Sequence, residues 1–231
     1  MEDDRQDLVT SLTLPLTGTF DAITAELGSV MMFSHNIDVT PACSDRIFCR
    51  ALLAGEPCFR LRLSRFGEEN DDDDDDGEVA FVTLRPSYPT ERIMSVRVLP
   101  GETVIVKRGS WIGNRIGNRV GSNNMVESFK LQSEKKNCCC GGCCFPWFEA
   151  RREFVVPNDG SEATLYVKVG QEVVHKELVE GEEMLVDAEA VVLRDGSVTA
   201  GKKGGLLTGP GRVFLETMSR RKLRTVVGGI T

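Results

Sequence analysis

The amino-acid sequence predicts an all-β protein built from three related β units. Short runs of β-branched and aromatic residues, separated by Gly, Pro, Asn and Asp, follow one another along the chain of 231 residues. Several of these runs alternate apolar and polar side chains with the period of two that half-buried strands show. Helical periodicity is confined to residues 45–53 and 219–227, and the second stretch allows a short C-terminal helix.

The strands are predicted one by one from these runs. In residues 59–63 the side chains of Phe59, Leu61 and Leu63 fall on one face and two arginines fall on the other. This alternation is typical of a strand with one buried face. Shorter apolar runs of the same kind predict further strands at 79–84, 104–106, 164–169 and 212–216.

An internal repeat organises these strands. Segment 101–112 reads as a turn glycine, a strand, a polar break and a second strand, and the pattern recurs at 181–192 and more loosely at 18–31. We therefore expect residues 1–231 to form a single domain of three repeats, at about 9–92, 93–172 and 173–224. Because closure removes exposed strand edges, we expect a closed, pseudo-threefold sandwich or barrel.

The charge of the chain is concentrated in one segment. The formal net charge is −7, and nine acidic residues with no basic one lie in segment 68–78. Removal of those nine charges would leave a net charge of +2, so the rest of the chain is nearly neutral. Such a block predicts a solvated acidic loop between two strands. The near-neutral body disfavours a nucleic-acid partner, and no run approaches the ~20 apolar residues of a membrane-spanning helix.

Five of the eight cysteines lie together in segment 138–144. Cys140 and Cys143 have the C-x-x-C spacing of half a zinc site, so the candidate metal ligands are Cys138, Cys140, Cys143 and Cys144. Lipidation beside the aromatic residues that follow would instead dock the segment on a membrane. A redox role and a plain loop are the other interpretations, and the plain loop is favoured because local cysteine patterns transfer poorly between protein families.

The two chain ends differ in charge. The basic tail, 220–231, could contact anionic lipid headgroups through Arg220, Arg221, Lys222 and Arg224 at about 1 kcal/mol per charge, or it could be a solvated end. The first seven residues are acidic and contain no apolar stretch. They therefore predict neither a secretory signal nor a cleaved mitochondrial presequence, which keeps the cytoplasm as one expected location.

No catalytic constellation is predicted. The Ile-Gly-Asn-Arg repeat within 112–119 matches neither a P-loop nor a dinucleotide fingerprint, so we interpret it as a glycine-rich strand or turn. The only histidines, His35 and His175, have no nucleophile motif nearby, and we expect both on strand rims. We expect a protein that is not an enzyme, with no catalytic residue, no cofactor and no cofactor-binding residue.

Three segments resemble the altered inheritance of mitochondria protein 24 family, which belongs to the tryptophan RNA-binding attenuator protein-like superfamily. Segment 50–56 is similar to the family's R-x-L-F-G-G-E, with Leu53 and Ala54 in place of Phe and Gly. Segment 173–187 follows the family pattern around Val-Val-His. Segment 207–217, Leu-Thr-Gly-Pro-Gly-Arg-Val-Phe-Leu-Glu-Thr, is close to the family's L-T-G-P-G-x-V-W-L-Q-T ending. The resemblance extends over residues 9 to 224, and the acidic run and the cysteine cluster are insertions in it.

The resemblance implies an attenuator-like fold and a mitochondrial location. It also implies a non-enzymatic scaffold or organiser protein that acts through protein contacts or membrane-surface contacts. We expect, in addition, that the domain can form homo-oligomers. The alternative function is a metal-binding or redox-linked protein that uses the cysteine cluster.

Overall fold

The computed structural model describes residues 8–17, 21–43, 59–66, 79–107, 109–116, 126–133, 148–156, 163–201 and 205–217. Within these residues the secondary structure is eighteen β-strands and one short 3-10 helix, Ala188–Ala190. The prediction of an all-β protein is confirmed. The candidate helical stretches 45–53 and 219–227, the acidic loop, the cysteine cluster and the basic tail lie outside the described residues.

The strands fall into three successive sets of six. Unit 1 contains β1 (Leu12–Leu16), β2 (Ala22–Glu26), β3 (Val30–Phe33), β4 (Ile37–Cys43), β5 (Phe59–Arg65) and β6 (Ala80–Leu84). Unit 2 contains β7 (Arg92–Val98), β8 (Thr103–Lys107), β9 (Trp111–Ile116), β10 (Val126–Ser133), β11 (Phe148–Val155) and β12 (Ala163–Val169). Unit 3 contains β13 (Val173–Leu178), β14 (Glu183–Leu185), β15 (Val191–Asp195), β16 (Thr199–Ala200), β17 (Leu206–Thr208) and β18 (Gly211–Glu216).

The sheets are antiparallel, and two of them are shared between units. Unit 1 opens with the three-stranded sheet β1-β6-β3, and unit 3 ends with the three-stranded sheet β14-β17-β16. Between them lie two six-stranded sheets, β4-β5-β2-β9-β12-β7 and β10-β11-β8-β15-β18-β13. Each six-stranded sheet therefore joins the second, fourth and fifth strands of one unit to the first, third and sixth strands of the next.

The joint between units is the same strand pairing used twice. The second strand of a unit pairs with the third strand of the next, as β2 with β9 and β8 with β15. We call these pairings junction 1 and junction 2. The remaining second and third strands, β14 and β3, are sheet edges. Among the described strands the sheets are thus open, and the closed pseudo-threefold arrangement, like the residue boundaries of the repeats, stays a prediction.

A hydrogen-bonded turn recurs at the same place in each unit. The backbone N–H of one residue donates to the carbonyl three residues earlier, as Ser29 to Glu26 (3.0 Å), Ser110 to Lys107 (3.1 Å) and Ala190 to Asp187 (2.9 Å). A β-bulge follows each turn. The strand register skips Met31 in β3, Ile112 in β9 and Val192 in β15. A bulge leaves one residue out of the ladder, so these three residues are structural equivalents.

The turn glycines of the sequence repeat are confirmed. Gly101 and Gly181 have φ angles of 78° and 76°, values that glycine adopts without the steric cost of a Cβ atom. In both turns the following glutamate accepts a backbone N–H with its carboxylate, Glu102 from Leu99 (2.9 Å) and Glu182 from Val179 (3.0 Å).

Each unit encloses its own apolar core between two sheets. The core of unit 1 contains Ile23, Leu63 and Val82, each fully buried. It also contains the bulge residue Ile112 from unit 2. In the same way the core of unit 2 contains the bulge residue Val192 from unit 3. The bulge of each following unit therefore inserts an apolar side chain into the core of the unit before it.

Substitution of Gly113 tests how tightly junction 1 is packed. A Cβ atom on Gly113 would lie 2.8 Å from the carbonyl oxygen of Thr24 and 3.4 Å from Cα of Ala25, both on β2. Because these are backbone atoms, they cannot rotate away. We expect Gly113→Ala to lower the free energy of unfolding by about 1–3 kcal/mol, measured by urea denaturation.

Gly28→Ala is the matched control, because its Cβ would meet nothing within 4 Å. Its free energy of unfolding should be unchanged or slightly raised. Equal stability of the two variants would contradict the close approach of β9 to β2.

Candidate functional site: the charged junctions between units

The candidates from the sequence lie outside the described residues. These are the cysteine ligands Cys138, Cys140, Cys143 and Cys144 and the tail cations Arg220, Arg221, Lys222 and Arg224, so the structure does not test them. Within the described ranges no group of three or more His, Cys, Asp or Glu side chains could hold a metal ion. The same ranges contain no helix long and apolar enough to cross a membrane.

Three of the five buried charged side chains among the described residues, Asp21, Lys168 and Glu216, form ion pairs at the two junctions. At junction 1, Nζ of Lys168 on β12 lies 2.5 Å from Oε2 of Glu26 on β2, and the lysine side chain is only 4% exposed. At junction 2, Nζ of Lys107 on β8 lies 2.9 Å from Oε1 of Glu216 on β18. Each ion pair joins the second strand of one unit to the sixth strand of the next.

The two ion pairs are equivalent in position and opposite in sign. Glu26 and Lys107 occupy the same turn position of their units. Lys168 and Glu216 are equivalent because each follows the residue, Val167 or Leu215, that pairs with the position just before the bulge of its unit. If unit 1 took the place of unit 2 at junction 2, the glutamates Glu26 and Glu216 would meet. If unit 2 took the place of unit 1 at junction 1, the lysines Lys107 and Lys168 would meet. The sign reversal therefore fixes which unit follows which.

The remaining pair of equivalent positions lies on unit 3 and unit 1. In unit 3 the position of Glu26 is occupied by Asp187. In unit 1 the position of Lys168 is occupied by Arg85, because the backbone N–H of Arg85 donates to the carbonyl of Ser29 as that of Lys168 donates to the carbonyl of Ser110. These two positions therefore carry opposite charges, with the acid on the second-strand side as at junction 1.

A second ionic contact differs between the junctions. At junction 1, Nε of Arg115 on β9 donates to Oδ1 of Asp21 (2.8 Å) and its Nη2 contacts the other carboxylate oxygen. At junction 2 the equivalent positions are two acids, Glu102 and Asp195. Arg212 lies between them, with Nη2 3.1 Å from Glu102 and Nε 3.1 Å from Asp195. Burial acts to lower the pKa of Arg212, but the two carboxylates outweigh it and raise the pKa.

Tyr166 adjoins the Arg115–Asp21 pair in the buried middle of the shared sheet. Its side chain is 3% exposed. Burial raises its pKa to about 12, while Arg115 acts to lower the pKa and Asp21 to raise it. The phenol therefore stays protonated throughout the physiological range.

A shallow cavity of about 400 Å³ lies beside junction 2. Its lining consists of backbone glycines, small polar residues and acids: Gly101, Glu102, Thr103, Ile105, Glu153, Asp195, Gly196 and Ser197. Two of the acids, Glu102 and Asp195, are engaged by Arg212. The cavity therefore belongs to the ionic contact that holds units 2 and 3 together.

Two aromatic contacts complete the interior. Trp111, 1% exposed, stacks on Phe154 with ring centroids 6.2 Å apart, and the guanidinium carbon of Arg60 lies 4.5 Å from the indole centroid.

His175 stacks on Phe214 with centroids 4.7 Å apart. His175 is half-buried on β13, an edge strand of its sheet, and its Nε2 is buried. The glycine-rich segment forms strand β9 over Trp111–Ile116, as the strand interpretation predicted.

Comparison with known proteins agrees with the resemblance seen in the sequence. A family model described as mitochondrial biogenesis AIM24 matches residues 10–218. The crystal structure of protein SPYM3_0169 from Streptococcus pyogenes is similar in fold, with a TM-score of 0.59 and 13% sequence identity. The alignment covers 98% of this chain and 99% of that chain. No protein among the curated ones matches by sequence.

Removal of the buried lysine tests the importance of the junction ion pairs. Lys168→Met would leave the carboxylate of Glu26 without its cation in a site where that side chain is only 14% exposed. Breaking one partner of a buried ion pair costs about 3–5 kcal/mol. We expect a loss of unfolding free energy in this range, measured by chemical denaturation.

The matched control is Lys176→Met. Its ion pair with Glu182 is 3.0 Å long but 46% and 32% exposed, and exposed pairs contribute little to stability because water screens them. A similar loss of unfolding free energy for both variants would show that the ion pair of Lys168 stabilises the protein no more than an exposed one.

Alkaline titration tests the burial of Tyr166. In the unfolded chain a tyrosine ionises near pH 10, whereas in the folded protein the pKa of Tyr166 is about 12. The contribution of Tyr166 to stability is therefore complete below pH 10 and is lost as the pH rises towards 12. In tyrosinate absorbance, the component that disappears in Tyr166→Phe should titrate near pH 12. A component that titrates near pH 10 would contradict the buried position.

Proposed function

Because the chain belongs to the mitochondrial biogenesis AIM24 family, we propose that it is a non-enzymatic scaffold or organiser protein of the mitochondrion. The family description supports a role connected with mitochondrial biogenesis. The scaffold mechanism goes further, and its support comes from how the chain uses its charged and apolar side chains.

The observation that carries the proposal is the use of the buried charges. Lys168, Asp21 and Glu216 are each less than 10% exposed, and such groups are the first candidates for catalysis in a fold. Here each of them is bound to an oppositely charged side chain of a neighbouring unit. Their contacts therefore hold units together, as expected of a protein whose activity is to present surfaces.

The described surface offers apolar side chains to protein partners. Leu27, Val174 and Val179 are 50%, 52% and 67% exposed. Large apolar side chains left exposed are candidate contact points for a protein partner. We propose that protein partners bind such surfaces, and that Arg220, Arg221, Lys222 and Arg224 add an attraction to anionic membrane lipids. The near-neutral body makes a nucleic acid a poor partner.

A second candidate function rests on the cysteine cluster. The C-x-x-C formed by Cys140 and Cys143 has the spacing of zinc ligands, with Cys138 and Cys144 as further donors. A metal-binding or redox-linked protein would need this cluster intact, whereas the scaffold needs only the β units.

Localisation and partner capture in cells test the proposal. The tagged full chain should fractionate with mitochondria, and proximity labelling should recover mitochondrial proteins. The variant with Cys138, Cys140, Cys143 and Cys144 all replaced by Ser should keep both the location and the labelled proteins.

Elemental analysis of the purified, reduced protein separates the two candidates. The scaffold proposal expects no stoichiometric zinc. One zinc per chain that is lost in the four-cysteine variant, together with loss of the labelled proteins, would favour the metal-binding alternative. A purely cytoplasmic location would contradict the mitochondrial part of the proposal.

A further inference from the structure

The third strand of unit 1 lacks the neighbour that its counterparts have. In β9 the equivalent residues Ile112, Gly113 and Asn114 are all buried, because β2 pairs with Gly113 and Asn114 and Ile112 enters the core of unit 1. In β3 the residues at the same positions are Met31, Met32 and Phe33, with 54%, 49% and 44% of their surface exposed. The edge of β3 therefore exposes a row of large apolar side chains, an arrangement that favours pairing with another strand.

The second strand of unit 3 shows the complementary deficit. In β8 the inward side chains of Val104 and Val106 are fully buried. Their counterparts at β14, Met184 and Val186, are only partly buried against the core of unit 3. Leu185 between them is 82% exposed. The edge of β14 thus presents an incomplete apolar core to its surroundings.

The bulge residues show what would complete that core. Ile112 inserts into the core of unit 1 and Val192 into the core of unit 2, and both are 0% exposed. Met31 is the equivalent bulge residue of unit 1, and it remains 54% exposed. The core of unit 3 is the core that receives no bulge residue from a following unit among the described residues. A Met31 side chain has the apolar character that this position requires.

We propose that the protein associates with a second copy of itself, by antiparallel pairing of β3 of one copy with β14 of the next. The registers of both junctions specify the contact. Ile105 lies opposite Arg194 at junction 2, and Thr24 lies opposite Asn114 at junction 1. By the same register Phe33 lies opposite Leu185 of the other copy, Met32 lies opposite Val186, and Met31 enters the core of unit 3.

The occupant is a second copy because the chain contains both halves of this contact. Its two edges have the strand types that pair twice within the chain. Both edges belong to one molecule, but β3 and β14 are not hydrogen-bonded to each other within it. The β14 edge of another molecule is therefore the matching partner for β3. The positions of the junction ion pair carry Asp187 and Arg85 here, so the two copies bring opposite charges together, with the acid on the second-strand side as at junction 1. Because the contact forms between molecules, its extent depends on protein concentration.

Sedimentation equilibrium of the full chain and its variants tests the contact. The inference rests on strand pairing alone, so its failure would leave the proposed scaffold function untouched. The wild type should associate in a concentration-dependent manner. Met31→Lys should raise the dissociation constant at least tenfold, because the lysine would have to enter an apolar core, and Leu185→Lys should also raise it. Leu99→Lys, at a turn where the side chain is 42% exposed, is the matched control and should associate like the wild type.

A mixture of the two edge variants gives the sharpest result. Met31→Lys keeps an intact β14 edge, and Leu185→Lys keeps an intact β3 edge. An equimolar mixture should therefore form a dimer through one undamaged contact, although each variant alone associates weakly. A mixture that associates no better than either variant alone would overturn the pairing of β3 with β14.

Disulfide cross-linking distinguishes two copies from one closed chain. When the single variants Phe33→Cys and Leu185→Cys are mixed and oxidised, peptide mass spectrometry should identify a disulfide between positions 33 and 185 in a covalent dimer. A wild type that is monomeric at every concentration would overturn the inference. So would a 33–185 disulfide that forms in the doubly substituted chain only within a monomer, since that result would mean closure of a single chain.

Discussion

The pairing of one unit's second strand with the next unit's third strand is the constraint on which the rest of the structure depends. It fuses two three-stranded halves into each six-stranded sheet, at β2–β9 and β8–β15. The same pairing brings the bulge residue of the following unit into the preceding core. A three-stranded sheet is only about the minimum size for independent stability, so each half-sheet gains stability from the fusion.

The ion pairs at these junctions give the repeated units a fixed order. A buried ion pair often stabilises a protein no better than a well-packed apolar pair would, but it strongly disfavours arrangements that leave a charge unmatched. Glu26 with Lys168 and Lys107 with Glu216 have opposite polarity. Units with similar folds would otherwise be exchangeable. This reading connects the interior charges to architecture, as the proposed scaffold function requires.

The sequence predicted the local structure better than the assembly. The similarity of 101–112 to 181–192 predicted the turn glycines and both strands, because hydrophobic alternation and positive φ angles are local properties. The sharing of sheets depends on contacts between residues far apart, and nothing in the pattern of β9 specifies β2 as its neighbour. The charged junctions were only partly predictable: alignment of 101–112 with 181–192 places Lys107 and Asp187 at one position, but the looser segment 18–31, aligned on its turn glycine, places Thr24 there instead of Glu26. The candidate cysteines and tail cations lie outside the described residues, so those predictions stand as predictions.

Native-state hydrogen exchange tests the central claim most directly. If the two junctions hold the three units together and leave β3 and β14 as edges, amides of β2, β9, β8 and β15 should exchange only through global unfolding. Amides of β3 and β14 that do not bond within their own sheets should exchange much faster in dilute protein and slow as its concentration rises. Protection of β3 and β14 equal to that of β8 and β15 at every concentration would contradict the account.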